Sequence, residues 1–339
     1  MKERYDYMDW LRVLAIFSVV GIHVVAQHVT NYNKAPNVWW YGNLIDSALR
    51  VSVPIFFMIS GALLLTRTKE EKLHVFFKKR FSKVVIPFVI WSIIYLIYRQ
   101  VMWFEHFTLK QMVKMFLTDN VFFHLWFLYV IIGLYLMTPF LQKIVQYSSK
   151  EMLQYFLASW FVLSSLAPFV HKFEGFSISL QAGLFGTYIG YFILGAYLLK
   201  YPLPKKSLPL LGVLAAFGYG VTAYGTYWLT LKNGGKLDGF FYQYGSPNVV
   251  FIGIFLFVLF QQYHHVFKAN KFIQLLSAAS MGIYLIHPIV QLYGRRIDFD
   301  EYWVHPVIAV PLVWVSIFFA SFILTWIIQK IPVLKRIVP

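Results

Sequence analysis

Three ionisable residues near the start of the chain, Asp9, Arg12 and His23, have types and a spacing that suit chemistry. Arg12 and His23 are eleven residues apart, close to three helical turns, so in a helix they share one face about 16 Å apart. Asp9 lies one turn before Arg12 on a nearby face. An imidazole titrates near neutral pH and a guanidinium pairs with phosphate or carboxylate. The spacing therefore predicts a helix with one chemically active stripe.

The helix that holds these residues opens the first long apolar run of the chain. Ionisable groups are costly inside a membrane, so by default they face a protein interior or a water-filled cavity. Spacing alone leaves two interpretations open. Either His23 is catalytic with Arg12 as its cationic companion, or Arg12 snorkels at the membrane edge and His23 is hydrogen-bonded at a helix contact.

The composition is that of a membrane protein. Of 339 residues, 59% are hydrophobic and only 13% are charged, and there is no cysteine for disulfides or for Cys-ligated metals. The formal net charge of +16 could suggest nucleic acid. The charges, however, lie in short breaks between apolar runs, which is typical of a cytoplasmic membrane face, so we expect no nucleic-acid partner. The first apolar run is too long for a cleavable signal and is expected to be retained.

A helix that crosses a membrane needs roughly 20 apolar residues. Ten stretches of the chain qualify: 10–30, 44–65, 84–104, 121–141, 152–170, 183–200, 208–229, 248–263, 273–293 and 305–329. The connections are short, and none suits a soluble catalytic domain. We therefore expect one all-α transmembrane bundle over residues 1–339, with any active site built from helices and loops.

The breaks between the spans predict how the bundle is oriented. Alternate breaks hold nineteen and eight basic residues, and the break at 66–83 alone holds seven. Because positive charge accumulates on the cytoplasmic side, both termini are expected to be cytoplasmic.

This orientation assigns a depth to each polar side chain. Arg12 then lies near the cytoplasmic edge and His23 in the outer half. His124 is expected at the outer surface, where the fourth span starts, and His287 in the outer part of the ninth span. Three histidines from three spans thus share the outer half. Neither Cys nor carboxylate accompanies them at ligand spacing, so we predict no metal.

Three further features are interpreted as structural. Arg50 lies within the second span and needs a partner, and Asp46 is expected to be that partner because it lies one turn earlier. The pair Ser60-Gly61 has no base near it in sequence and is expected to serve close helix packing, as are the glycines of 183–200. Pro288 disfavours helix at the residue before it, so a helix is expected to end at His287.

Six stretches match, in order, the motifs of one protein family. They are Arg12 and His23 with ten residues between them, 54–61, 79–83 leading to 86–87, 124–128, 135–139 and 283–288. Together they resemble the acyltransferase-3 family of integral membrane acyltransferases and span roughly 9–290. The resemblance implies about ten spans and transfer of an acyl group, usually acetyl from cytoplasmic acetyl-CoA, to a carbohydrate or envelope polymer.

The resemblance also implies roles for residues. The Arg and His of the first span are essential in the family, which points to Arg12 and His23 here. His23 would act as a base on the acceptor hydroxyl or as a nucleophile that holds the acyl group, and the sequence leaves both open. Arg12 would pair with a phosphate of CoA or with Asp9.

Other residues are candidates for substrate binding. In the basic cluster at 78–83, Arg80 and Lys83 suit the phosphates of CoA, although anionic lipid headgroups would favour the same cluster. His124 and Trp126 could meet the acceptor, although Trp is also common as an anchor at membrane interfaces. His287 is either a second polar group that faces His23 or a capped core histidine, and the first interpretation is favoured. Asp9 and His287 complete the set of candidate binding residues.

We therefore predict an acetyl-CoA-dependent membrane O-acyltransferase that acts on a cell-surface polysaccharide, envelope precursor or glycolipid. Membrane lipids and polysaccharide-assembly proteins are the expected partners, and the family implies a bacterial plasma membrane. Two rivals are a transporter or flippase for a glycan or acylated lipid and a non-catalytic scaffold. The ordered motifs, and the lack of an evident inverted repeat, favour the enzyme.

Overall fold

The computed structural model describes residues 5–68, 71–174, 186–300 and 302–339. These residues form fourteen α-helices and no β-strand, so the predicted all-α class is confirmed. In chain order the helices are α1 (Asp6–Val25), α2 (Pro36–Leu49), α3 (Ser52–Leu65), α4 (Leu73–Arg80), α5 (Ile86–Met102), α6 (Leu109–Leu117), α7 (Trp126–Tyr147), α8 (Lys150–Phe161), α9 (Ala167–Glu174), α10 (Thr187–Lys200), α11 (Leu208–Lys232), α12 (Pro247–Gln262), α13 (Lys271–Arg296) and α14 (Pro306–Lys330).

Nine helical stretches within the described ranges are long and apolar enough to cross a membrane. They are Asp6–Val25, Pro36–Leu65, Leu73–Met102, Trp126–Tyr147, Lys150–Glu174, Lys205–Lys232, Phe240–Gln262, Lys271–Arg296 and Pro306–Lys330. The predicted multi-pass bundle is therefore confirmed. Of the predicted span at 183–200, residues 183–185 lie outside the described residues, and α10 provides 14 residues that are mostly buried.

The first helix lies in the middle of the bundle. α1 packs against α2, α3, α12, α13 and α14, and most of its side chains are buried. A helix that is apolar nearly all round is stable where other helices surround it. The polar side chains of α1 are thereby held among neighbouring helices.

α3 and α10 touch through their backbones. A Cβ added to Gly61 would lie 1.7 Å from the carbonyl oxygen of Phe192, and one added to Gly195 would lie 1.9 Å from that of Met58. No side chain fits between helices at this distance, so both positions require glycine. The predicted role in close helix packing is confirmed for Gly61 and Gly195. It is not seen at Gly186, where a Cβ would meet nothing nearer than 4.0 Å, and Gly183 lies outside the described residues.

Interruptions near Arg50 and near the basic cluster shape two of the membrane segments. α2 ends at Leu49 and α3 begins at Ser52, so Arg50 lies at a joint, where its Nη2 meets Asp46 Oδ2 at 2.5 Å as the sequence predicted. One turn of π-helix, Phe81–Val85, separates α4 from α5. Such wide turns recur at functional sites, and this one overlaps the end of the basic cluster and contains Lys83.

The prediction that a helix ends at His287 is wrong. α13 runs from Lys271 to Arg296 with Pro288 inside it. Pro288 has no N–H for the Tyr284 carbonyl, which would weaken an isolated helix. Here α1 and α14 pack along α13, and neighbouring helices make proline tolerable within a membrane segment.

Candidate active site

Arg12 is held by two neighbours at one end of α1. Its Nη1 donates to Ser277 Oγ at 2.9 Å and to Asp9 Oδ1 at 3.3 Å. The Ser277 hydroxyl in turn donates to Asp9 Oδ1 at 2.6 Å. Arg12 thus has the Asp9 partner that the sequence suggested. Ser277 was missed because nothing in its local sequence distinguishes it.

His23 lies toward the other end of α1 and faces protein. Its backbone carbonyl accepts a hydrogen bond from Gln291 Nε2 at 2.9 Å. Its ring packs edge-on against Phe123, with centroids 4.8 Å apart, and stacks on His287 at 5.3 Å. The ring is half-buried and lines a cavity, so it is accessible from inside the bundle.

His287 and His124 extend this cluster. His287 is fully buried, and its Nδ1 lies 3.1 Å from the Ile283 carbonyl, whereas its Nε2 has no hydrogen-bond partner among the described residues. The His124 ring lies 5.6 Å from the His287 ring, and neither of its nitrogens has a partner in the described part of the chain. Three spans therefore bring three imidazoles together, as their assigned depths predicted.

His124 lies just before the fourth span and is buried. The helix of that span begins at Trp126, and only 1% of His124 is exposed. Its ring packs against Tyr95 and Phe122, and its carbonyl accepts a hydrogen bond from the Tyr284 hydroxyl. Burial of the aromatic residues around it explains why this segment folds inward.

The histidine cluster does not have the geometry of a metal site. The His23 and His287 rings are stacked at an interplanar angle of 28°, whereas metal ligands direct ring nitrogens at a common point. Among the described residues, no group of three or more His, Asp or Glu side chains could hold a metal ion.

A cavity of about 200 Å³ joins the two ends of α1. Arg12, Ser60 and Tyr135 line it at one end, and His23, His124 and Tyr244 line it toward the other. Its volume is below the range typical of sites for drug-sized molecules. The cavity therefore suits a narrow chain that enters lengthwise, with a charged group at Arg12 and a reactive group at His23.

Trp126 belongs to the cavity wall. Its ring stacks on Tyr244 with centroids 5.6 Å apart, and it lies 5.5 Å from the Tyr188 ring. It also lines the cavity. These contacts place Trp126 beside the histidine cluster.

The basic cluster divides into one residue near the cavity and others away from it. The Arg80 guanidinium lies 4.6 Å from the Phe76 ring and 5.9 Å from the ring of Tyr135, which lines the cavity. Lys83 is exposed and does not line the cavity. Lys79 pairs with Glu71, and this hydrogen bond holds the pKa of Glu71 below its ordinary value.

Arg67 is a further cation at this end of the bundle, and sequence reasoning missed it as a site residue. Its Nε donates to the Leu63 carbonyl at 2.9 Å. Two glutamines of α7 donate to its own carbonyl, Gln142 at 2.7 Å and Gln146 at 2.5 Å. The sequence signal for Arg67 is its place in the basic break at 66–83.

Two arginines lie near Tyr135. Arg12 lines the cavity together with Tyr135 and Ser60, and the Arg80 guanidinium lies 5.9 Å from the Tyr135 ring. A cluster of guanidinium groups is well suited to phosphate. The Arg12 end of the cavity therefore has the character of an anion-binding mouth.

The chain also matches a family model described as an acyltransferase domain, that of the acyltransferase-3 family, over residues 5–330. Neither a curated protein nor a solved structure matches the chain. The matched range includes every residue of the cavity wall named above.

Proposed function

The chain belongs to the acyltransferase-3 family and is a membrane acyltransferase, and on this premise we propose that it transfers an acetyl group from cytoplasmic acetyl-CoA to a hydroxyl of a cell-surface polysaccharide or envelope precursor. The observation that supports this most is the cavity that joins Arg12 to His23. A transporter has no need of a cavity with a cationic group at one end and an imidazole at the other.

The donor enters at the Arg12 end. Arg12, Arg67 and Arg80 bind the phosphates of CoA through charge-assisted hydrogen bonds. The narrow cavity then takes the pantetheine arm and excludes the nucleotide. The rise of α1 places His23 about 16 Å from Arg12, so the thioester reaches the imidazole while the phosphates stay at the mouth.

The acyl group moves at His23. In one route His23 takes the acceptor hydroxyl proton, the oxygen attacks the thioester carbonyl, the C–S bond breaks, and CoA leaves with the proton. In the other route a ring nitrogen attacks the thioester first and CoA leaves. The acceptor hydroxyl then attacks the acyl-imidazole and frees His23. Both routes need an imidazole that meets donor and acceptor in one cavity.

The acceptor arrives from the His23 end, which the excess of basic residues at the opposite face assigns to the outside. His124 and Trp126 line the cavity beside His23 and contact the acceptor. His287, stacked on His23, positions the catalytic ring.

Labelled acetyl-CoA tests this proposal. Purified protein in nanodiscs is mixed with [¹⁴C]acetyl-CoA, with and without a glycan extract from the source membrane. The base route predicts CoA release only with acceptor, and the carrier route predicts acid-labile label on the protein without it. His23→Ala should abolish either signal. If correctly inserted protein neither releases CoA nor passes label to any glycan, the proposal is wrong.

A further inference from the structure

The short helix α6 lines neither the cavity at His23 nor a second cavity, of about 510 Å³, that shares Tyr244 with it. It connects the segments Leu73–Met102 and Trp126–Tyr147, both of which are long and apolar enough to cross a membrane. Because the chain enters α6 from one span and leaves it into the next, α6 lies at a membrane surface.

The side chains of α6 fall into three sectors around its axis, since successive residues are about 100° apart. One sector packs against the bundle through half-buried side chains, namely Met112, Met115 and Phe116. A second sector is apolar and exposed, and consists of Leu109 (78% exposed), Val113 (50%) and Leu117 (72%). The third sector is polar and exposed, and consists of Lys110, Gln111 and Lys114. The exposed apolar sector therefore lies between the bundle and the polar sector.

This order of sectors is the one that a helix lying in a membrane interface requires. Such a helix has protein on one side, directs an apolar row into the boundary of the acyl chains, and keeps its charged row among the headgroups. Single exposed apolar residues need no explanation. Here, however, Leu109, Val113 and Leu117 are spaced by four residues and form a continuous row along one side of the helix.

Backbone groups at both ends of α6 are paired within the protein. Thr108 and Gln111 form a capping box, in which Thr108 Oγ1 accepts from the Gln111 N–H at 3.3 Å and Gln111 Oε1 accepts from the Thr108 N–H at 2.7 Å. At the other end the Tyr129 hydroxyl donates to the Phe116 carbonyl. Helix ends with paired backbone groups can enter a medium of low dielectric constant at less cost.

Arg99 of α5 holds the chain on both sides of α6. Its Nη2 donates to Glu105 Oε2 at 2.6 Å, before the helix. Its Nη1 donates to the carbonyls of Asn120 at 2.8 Å and Val121 at 3.0 Å, after the helix. One side chain thus fixes both connections, so the direction of the exposed apolar row relative to the bundle is set by the fold.

We propose that α6 is a lipid-interface helix and that its partner is the phospholipid leaflet at this end of the bundle. The apolar row inserts about 5–10 Å into the boundary between headgroups and acyl chains. Lys110 and Lys114, which lie one turn apart on the polar side, bind the phosphates of the same leaflet, because an ammonium group and a lipid phosphate are complementary in charge. α6 thereby fixes the level at which this end of the bundle lies in the membrane.

Spin-label depth measurements test this proposal, and the absence of cysteine from the chain makes single labels straightforward. Val113→Cys and Leu117→Cys carry a nitroxide on the apolar row, and Lys110→Cys and Lys114→Cys carry it on the polar side of the same helix as matched controls. The full-length protein is placed in phosphatidylcholine–phosphatidylglycerol liposomes. Collisions with oxygen, which concentrates in lipid, should dominate at 113 and 117, and collisions with a water-soluble nickel chelate should dominate at 110 and 114.

A substitution within the apolar row sharpens the test. In Leu109→Ser, a label at 113 should move about 3 Å toward water, whereas Leu109→Met, which keeps the apolar surface, should leave its depth unchanged. Exposed positions of this kind tolerate substitution, and gel filtration checks the fold.

Two results would overturn the proposal. Equal access of the nickel chelate to all four labels would show that α6 stands in water. Protection of 113 and 117 from both oxygen and nickel would show that a protein surface covers the row, and distances between labels on separate molecules would identify a second copy. The experiment uses neither acetyl-CoA nor an acceptor, so it stands or fails independently of the proposed function.

Discussion

A serine 265 residues away from Arg12 in sequence fixes its guanidinium. Ser277 donates to Asp9 and accepts from Arg12, so it sets the distance between the two charges. In Ser277→Ala, Arg12 keeps Asp9 but loses its second anchor. We expect the KM for acetyl-CoA to rise about fivefold with little change in kcat, because one hydrogen bond to a partly exposed charge is worth about 1 kcal/mol. Steady-state assays of CoA release measure both constants.

Ser82→Ala is the matched control for this prediction, because Ser82 is exposed and its hydroxyl donates to the Lys79 carbonyl. Its kinetic constants should equal those of the natural protein. A fall in kcat at constant KM in Ser277→Ala would show that Arg12 acts on the reacting atoms and not on binding.

His23 should account for most of the chemical rate. Loss of a general base typically lowers kcat by about 10²–10⁴. We expect His23→Ala to lower kcat by a factor in that range or by a larger factor. His265→Ala is the control, because His265 is exposed and absent from both cavity walls. Gel filtration should show the same monodisperse species for both. Near-normal kcat in folded His23→Ala would contradict the catalytic role.

Among the helices, the contact of α3 with α10 is the least tolerant of change. Gly61→Ala would place a methyl group 1.7 Å from the Phe192 carbonyl oxygen, and backbone cannot yield as a flexible side chain does. Overpacking of this kind costs roughly 1–3 kcal/mol or more. We expect the Tm in detergent to fall by several degrees, measured by intrinsic fluorescence.

Gly133→Ala provides the comparison. Gly133 lies within α7, and a Cβ there would meet nothing within 4 Å. Alanine favours helix over glycine by about 1 kcal/mol, so the Tm should stay constant or rise slightly. Equal destabilisation in both variants would mean that α3 and α10 are not in backbone contact.

For the whole molecule, the excess of basic residues predicts that the Arg12 end faces the cytoplasm. The chain has no cysteine, so single cysteines can be placed without background. Lys206 and Lys236 are exposed and flank α11. In intact cells a membrane-impermeant maleimide should label Lys236→Cys and should label Lys206→Cys only after lysis. The reverse labelling pattern would show that the Arg12 end faces the outside, which would contradict the proposed entry of acetyl-CoA from the cytoplasm.

The sequence by itself determined the properties that depend on local composition. Apolar runs long enough to cross a membrane identified the helical bundle, and polar residues within them identified Arg12, His23, Arg50 and Asp46. The cost of leaving such groups in lipid is a property of each residue, so it can be judged without neighbours. The ordered motifs pointed to the same family that the full-length match shows.

Only the tertiary structure decided which of these residues meet. Ser277 contacts Arg12, and the His124 ring is buried among aromatic residues, because helix rotation and packing, and not span position, set side-chain contacts. Pro288 stays within a helix for the same reason, because neighbouring helices pack along α13 and make a proline tolerable there. Two cavities that share Tyr244 arise only where several helices pack imperfectly, and no single stretch of sequence records that.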